Sequence, residues 1–294
     1  MISSFKENIF REYDIRGEFG VDFTPELAFL LGKAIATFAV AKGGWNNPSK
    51  NPSDYRIVVG RDCRKSSPEL FSQIAKGICS CGISVTEGGV GPTPQLYYLA
   101  NSGKFDAAVQ ITASHNPGED NGFKMMVGST TLSGELIQNI KNIIVSGEFL
   151  PEASSPGVVI SVPGAEAYLQ ELVSRSKSHM GTRKVKVVVD GGNGVGGPVG
   201  PELLRRLGCE VVEIYTDQDG SFPNHHPDPT VLENLEDLRK KVLEVGADLG
   251  IAWDGDADRI GVVDEKANPI FGDMLVLIYG RQLLQDKANP IVIG

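Results

Sequence analysis

A chain of 294 residues has room for about two domains, and 41% hydrophobic with 22% charged residues is the composition of a globular protein that buries its own cores without disulfide staples. The formal net charge of −9 speaks against a nucleic-acid surface, which needs a basic face, but it leaves open an anionic small substrate in a locally positive cleft. There is no signal-peptide pattern and no apolar run near the ~18 residues of a membrane span, and the four cysteines Cys63, Cys79, Cys81 and Cys209 fit no zinc spacing and read as free thiols of a reducing compartment. A cytoplasmic protein without membrane or nucleic-acid partners is expected.

In chain order, Thr24-Pro25 opens a helix with a cap residue and a proline in the first turn. Leu27, Leu30, Leu31, Ala34, Ile35 and Phe38 continue it at helical spacing, and Gly43-Gly44 stops it. The segment 56–60 is a short buried strand. Ser66 and Glu69 have the spacing of a capping box for the helix carrying Leu70, Ile74 and Ile78. Strand 83–85, helix 94–101 and strand 107–111 follow. Pro151, Ser154, Ser155, Pro156 and Gly157 then form a linker-like stretch, which predicts a first domain over 1–152.

A second α/β block is expected over 153–268, with strands at 185–189, 211–214 and 248–252, helices at 201–207 and 232–245, and a hairpin partner at 260–263. A helix over 273–284 and an apolar strand over 289–294 come last. Such a strand wants a sheet to complete, so residues 269–294 read as the start of a third domain.

Two segments carry the chemistry. The first is ITASHNP, 111–117, directly after a strand, where open α/β sheets present ligand-binding loops. Ser114 is a candidate nucleophile there, and His115 is its base or a donor to phosphate. Asn116-Pro117 is turn chemistry that pushes the serine outward. Lys124, in the NGFK segment 121–124, is within reach to bind phosphate or move protons. The competing reading is a polar loop in which Ser114 caps a turn.

The second is WDGDADR, 253–259. Asp254, Asp256 and Asp258 alternate, which places three carboxylates on one side of an extended loop. Carboxylates that close raise one another's pKa unless a cation sits among them, and a few hard oxygen ligands suit Mg²⁺. Arg259 adds a positive fork for a substrate phosphate. An EF-hand is excluded because its glycine and distal glutamate are not in place; a solvated acidic turn is the bland alternative.

Three other signals are weaker. Arg16 and Tyr13, in the segment 10–17, could reach a site as phosphate or hydroxyl contacts. Gly192, Gly194 and Gly197, with Glu213 about 20 residues on, satisfy a dinucleotide fingerprint, but Pro198 and Pro201 crowd the helix start, so a tight strand-to-helix turn is preferred. His225-His226 is read as a structured loop, because adjacent side chains rarely point together, and His179 lies in a polar linker.

Taken together and in this order, YDIRG at 13–17, TASHNP at 112–117, NGFK at 121–124, DGGNG at 190–194 and DGDADR at 254–259 resemble the α-D-phosphohexomutase superfamily, the bacterial phosphomannomutase/phosphoglucomutase group in particular. The resemblance covers nearly the whole chain. It implies two consecutive α/β domains with mixed sheets sandwiched by helices, plus the start of a third. It implies that Ser114 is phosphorylated in the active form. Asp254, Asp256 and Asp258 would hold Mg²⁺ with a phosphoserine oxygen as a further ligand. Lys124, His115, Arg16 and Tyr13 would line the cleft, with Lys124 handling protons at the sugar hydroxyl and Arg259 touching substrate. The expected substrates are a hexose phosphate and a hexose bisphosphate. Family members usually have four domains, and the third and fourth supply the sugar-reading loop and a phosphate clamp. Neither is read in this chain, which is therefore expected to turn over little by itself. The rival readings are a haloacid-dehalogenase-type phosphatase, which also uses a D-x-D pair with Mg²⁺, a non-catalytic truncated binding chain, and, last, a dehydrogenase.

Overall fold

The computed structural model describes residues 5–41, 50–162 and 164–284. Among these residues the first unit builds a seven-stranded sheet from β1 (Ile15–Glu18), β2 (Arg56–Arg61), β3 (Ser84–Val90), β4 (Ala107–Ile111), β5 (Asp120–Val127), β6 (Thr130–Thr131) and β7 (Val159–Ser161), in the order β1-β5-β4-β2-β3-β7 with β6 paired to β5. The strands β4, β2, β3 and β7 are parallel to one another, whereas β5 runs antiparallel to both β4 and β1. The sheet is mixed for that reason.

Both faces are covered, and the strand sequences say why. Successive side chains alternate faces, and in β2 Ile57 and Val59 join the larger core while Val58 joins a separate core with Leu96, Ala108 and Met126. Such a strand must be apolar at every position. On the first face, α1 (Pro25–Ala41) packs on α2 (Ser67–Ser80) and α4 (Glu135–Ser146); on the second, α3 (Thr93–Ser102) packs on β2 and β4.

The second unit has the sheet order β12-β11-β10-β8-β9, from β8 (Lys186–Asp190), β9 (Glu210–Ile214), β10 (Leu249–Trp253), β11 (Ile260–Asp264) and β12 (Pro269–Ile270). Here β8 runs parallel to β9 and β10, and β11 returns antiparallel to β10, as the hairpin reading expected. The helix α7 (Glu236–Val245) covers β8 and β10 and buries Leu238 and Val242 against Val188, Ala252 and Val263. The helices α5 (Ala165–Ser176) and α6 (Gly200–Arg206) pack on each other in this unit, α5 also touches α3 of the first, and α8 (Gly272–Leu283) follows β12 with much of its apolar surface exposed. Among the described residues, no helix is long and apolar enough to cross a membrane.

Four expectations shift. The linker-like stretch does not end the first sheet: β7 lies beyond residue 152 and pairs in parallel with β3, so the chain changes sheets only after Ser161. At the other end β12 extends the second sheet to Ile270 through β11. Ser66 makes no capping bond and has helical backbone angles; its hydroxyl instead accepts from the Asn121 amide at 2.8 Å. The helix expected over 232–245 begins as a 3₁₀ turn, Leu232–Leu235. The expected stop at Gly43-Gly44 and the strand over 289–294 lie outside the described residues.

Candidate active site

The loop after β4 and the loop after β10 both leave the carboxyl ends of parallel strands, the usual place for a ligand in an open α/β sheet. They meet across the two units. The Ser114 hydroxyl donates to Asp254 Oδ2 at 2.5 Å. Ser114 holds φ of 54°, a left-handed conformation that costs a residue with a Cβ about 1–3 kcal/mol unless its surroundings impose it. One constraint is local: the Ser114 N–H donates to Thr112 Oγ1 at 2.9 Å. His115 Nδ1 lies 3.3 Å from Ser114 Oγ, and Arg259 Nη1 lies 3.5 Å from His115 Nε2. A guanidinium only donates, so this network assigns the acceptor role to Nε2 and the proton to Nδ1. With that tautomer His115 faces the serine as a donor; with the other it faces it as a base. Burial, reinforced by the Arg259 charge, holds the imidazole below its ordinary pKa.

The second loop is a tight turn around Asp254. Its Oδ1 accepts the backbone N–H groups of Asp258 (3.0 Å) and Arg259 (2.9 Å), and Ala257 takes a positive φ of 55°. One oxygen from each of Asp254, Asp256 and Asp258 falls within 4.8 Å of the others. Asp254 and Asp256 are fully buried. Burial, with the charges of Asp256 and Asp258 added, pushes the Asp254 carboxyl up to about 8. Burial acts on Asp256 in the same sense, but the Lys124 ammonium overrides it and holds that carboxyl below its ordinary value. Gly255 permits the approach, since a Cβ there would run into the Ser114 carbonyl oxygen.

Lys124 lies across this cluster, donating to Asp256 Oδ2 at 2.6 Å and Asp258 Oδ2 at 2.5 Å. Burial disfavours its charge, yet the two carboxylates prevail and hold it above the ordinary lysine value. One acceptor remains open: Asp256 Oδ1 is buried with no hydrogen-bond partner. A buried, unpartnered carboxylate oxygen is costly. Its position beside two more carboxylates is the donor chemistry a small hard cation requires, so these residues fit a Mg²⁺ ion.

Above the two loops opens a cavity of about 580 Å³, lined by Arg16, Tyr13, Ser114, Lys124, Asp258 and Arg259 among others. Arg16 is anchored by donation to Asn116 Oδ1 (2.6 Å) and Asp14 Oδ2 (2.5 Å), and its buried Nε–H has no partner. Tyr13 stands at the rim, 77% exposed. All the residues singled out for chemistry therefore gather in one place.

Several neighbours carried no signal in the sequence. Thr93, at the start of α3, donates both its N–H and its hydroxyl to Asp256, tying the first unit to the second loop. Asp228 interacts with the charges of His115 and Arg259; burial raises its pKa, but bonds from Thr230 and those charges keep it below the ordinary value. Arg64 holds the backbone of the serine loop from beneath. A proline-flanked threonine and an arginine after a strand look like ordinary turn residues, and only the topology assigns them partners.

The rejected motifs are also explained. The glycine turn after β8 packs on the chain itself: a Cβ on Gly191 would approach the Tyr215 carbonyl at 2.8 Å, and one on Gly194 the Gly255 carbonyl at 2.7 Å. These glycines serve close backbone packing between strand and neighbouring loops. His225 is held by the buried Asp190, with Nε2 3.0 Å from Oδ2. His179 lies in an exposed 3₁₀ turn.

Comparison with known proteins accords with this geometry. A family model described as phosphoglucomutase/phosphomannomutase, alpha/beta/alpha domain I, matches residues 7–151, and the model of domain II matches 166–268. The chain belongs to the phosphoglucomutase/phosphomannomutase family. It is 40% identical over 291 residues to a phosphomannomutase/phosphoglucomutase of Pseudomonas putida, covering 99% of this chain and 59% of that protein. It is 40% identical over 292 residues to a phosphoglucomutase of Neisseria gonorrhoeae, covering 99% of this chain and 60% of that one. A solved structure from Burkholderia thailandensis, a phosphoglucomutase/phosphomannomutase family protein, superimposes with a TM-score of 0.86 at 36% identity, over 96% of this chain and 60% of its own. The chain thus spans less than two thirds of these relatives. Membership in this family leaves the haloacid-dehalogenase alternative without support.

Proposed function

We propose that this chain carries the phosphoryl-donor half of a phosphohexomutase that interconverts hexose 1-phosphate and hexose 6-phosphate through a phosphoserine and a bisphosphorylated sugar. The observation that carries the reading is the 2.5 Å contact between Ser114 Oγ and Asp254 Oδ2, made between two separate sheets. A left-handed residue that sets a hydroxyl against a buried carboxylate cluster is strain of the kind that gathers at functional sites.

In this reading Ser114 bears the phosphoryl group. Arg16, with its unpartnered Nε–H, and Arg259 offer charge to phosphate oxygens on the substrate side. During transfer the Oγ–P bond breaks as the sugar hydroxyl oxygen bonds to phosphorus. Lys124, an ammonium bonded to Asp256 and Asp258 at rest, takes up the hydroxyl proton as it hands one of its own to those carboxylates, and His115 Nδ1–H donates to the serine oxygen as it is released. A Mg²⁺ held by Asp254, Asp256 and Asp258 would neutralise charge on the transferring group, the main source of rate in such chemistry. For the second half, the bisphosphorylated sugar presents its other phosphate to Ser114 and returns it. The free thiols, of which Cys79 and Cys81 are buried, suit a cytoplasmic enzyme.

The test is mass spectrometry of the full-length protein after incubation with glucose 1,6-bisphosphate and Mg²⁺, beside Ser114→Ala. Gain of one phosphoryl group, lost in the variant, is expected. An unmodified wild-type chain, or phosphate on an aspartate, defeats the proposal. Glucose and mannose 1-phosphates are the substrates to assay, because the relatives' names cover both.

A further inference from the structure

Arg64 is the largest fully buried side chain of the described residues, and every one of its N–H donors is used. Nε donates to Asp62 Oδ2 at 3.0 Å. Nη2 donates to the carbonyls of Ser114 (2.9 Å) and Asn116 (2.7 Å). Nη1 donates to the carbonyls of Asp120 (2.9 Å) and Pro117. A single planar group thus grips the serine loop at four carbonyls. Together with Thr112 Oγ1 on the Ser114 N–H, it fixes both peptide planes that flank the left-handed serine.

The grip is itself anchored and covered. Asp62 Oδ1 accepts the Arg64 N–H at 3.0 Å and the Ser67 hydroxyl at 2.6 Å. From the second unit the Phe222 ring lies 5.1 Å from the guanidinium. Gly220 lets that loop descend, since a Cβ there would strike the backbone of Cys63 and Arg64. Burial pushes the Asp62 carboxyl above its ordinary value even with Arg64 beside it. A buried ion pair of this kind is a poor source of stability, which leaves geometry as its use.

We infer that Arg64 is a positioning residue for phosphoryl transfer: by holding the carbonyls of Ser114, Asn116, Pro117 and Asp120 under the seat of Phe222, it aims the serine oxygen at the carboxylate cluster. The role rests on the mutase reading above. Arg64 reaches the cavity only through the main-chain carbonyl of Ser114 and touches none of the three aspartates.

A ~1 Å misplacement of a reacting atom costs on the order of 100-fold in rate. In Arg64→Lys, single-turnover phosphorylation of Ser114 by glucose 1,6-bisphosphate in the full-length protein is expected to slow by about that factor, with the concentration of bisphosphate giving half-maximal rate and the Mg²⁺ affinity little changed. A merely structural residue would lower stability and leave the rate per folded molecule alone, and that result overturns the inference. Should Arg64→Lys not fold, Asp62→Asn takes its place, because either placement of the amide sets its NH₂ against an N–H of Arg64; wild-type loading in that variant likewise overturns the inference. Wild-type protein that never acquires phosphate on Ser114 refutes the mutase reading itself, and this role with it.

Discussion

Replacing Lys124 by methionine keeps the shape of the side chain and deletes the cation that, among the described residues, pairs with the carboxylate cluster. Lys124 is only 13% exposed, and Asp256, at 2.6 Å, is fully buried. Asp258, at 2.5 Å, is 32% exposed, so solvent screens its share. Removing one partner of a buried pair costs about 3–5 kcal/mol; the exposed share puts Lys124→Met near the low end, about 3 kcal/mol. At roughly 2–4 °C per kcal/mol for units of this size, the metal-free variant should melt about 6–12 °C below wild type. Magnesium should reverse the order of response. In wild type an incoming cation must first expel the ammonium; in the variant it meets carboxylates that repel one another, so binding is tighter by about tenfold or more, and stabilisation by a bound ion follows RT ln(1 + [L]/Kd). Thermal melts in a chelator and along a Mg²⁺ titration measure both quantities. Parallel Mg²⁺ responses in the two proteins would refute the idea that Lys124 occupies the cation's electrostatic place.

The Asp254 carboxyl, raised from 3.8 to about 8, makes a signed pH prediction for the metal-free protein. Between those values the folded chain keeps a proton that the unfolded chain has released, so this stability is present at low pH and is lost as pH rises through about 8; Asp256, held below its ordinary value, acts in the opposite sense and only in acid. The melting temperature of wild type relative to Asp254→Asn should therefore fall from pH 5.5 to 8.5, and a rise would contradict the assignment. Gly255→Ala forces a Cβ onto the Ser114 carbonyl oxygen, an overpacking worth about 1–3 kcal/mol, so phosphorylation of Ser114 should drop at least about tenfold on an intact-mass time course. Thr93→Val removes the hydroxyl that donates to Asp256 Oδ2 and leaves a buried acceptor short of a partner; the denaturant midpoint should fall by the equivalent of about 1–3 kcal/mol.

The residues proposed to do chemistry were legible because they follow apolar strands. Ser114 follows β4 and Asp254 follows β10, polar loops at the ends of buried runs, and their types left few uses open. The helices α1 and α2 were legible from spacing alone. The order of strands was not: nothing local to Asp120–Val127 says that β5 inserts antiparallel between β1 and β4, since strand pairing is decided by distant partners. The edge strand Val159–Ser161 hid behind a composition typical of linkers, its apolar positions exposed. Ser66 shows the limit of motif spacing, because its hydroxyl had a better partner in Asn121 than in its own helix. Arg64 was out of reach for a related reason: its partners are carbonyls, which every residue has, so the sequence around it carries no complementary pattern.

The Ser114–Asp254 contact divides the proposed donor centre between two sheets, each with its own hydrophobic packing. Neither sheet carries both the serine and the carboxylates, so in the proposed mutase each unit depends on the other for the chemistry. Damage along the seam, at Gly220 or Phe222 for instance, is then expected to cost Ser114 phosphorylation and stability together, because the contacts that join the units also hold the carboxylates in place.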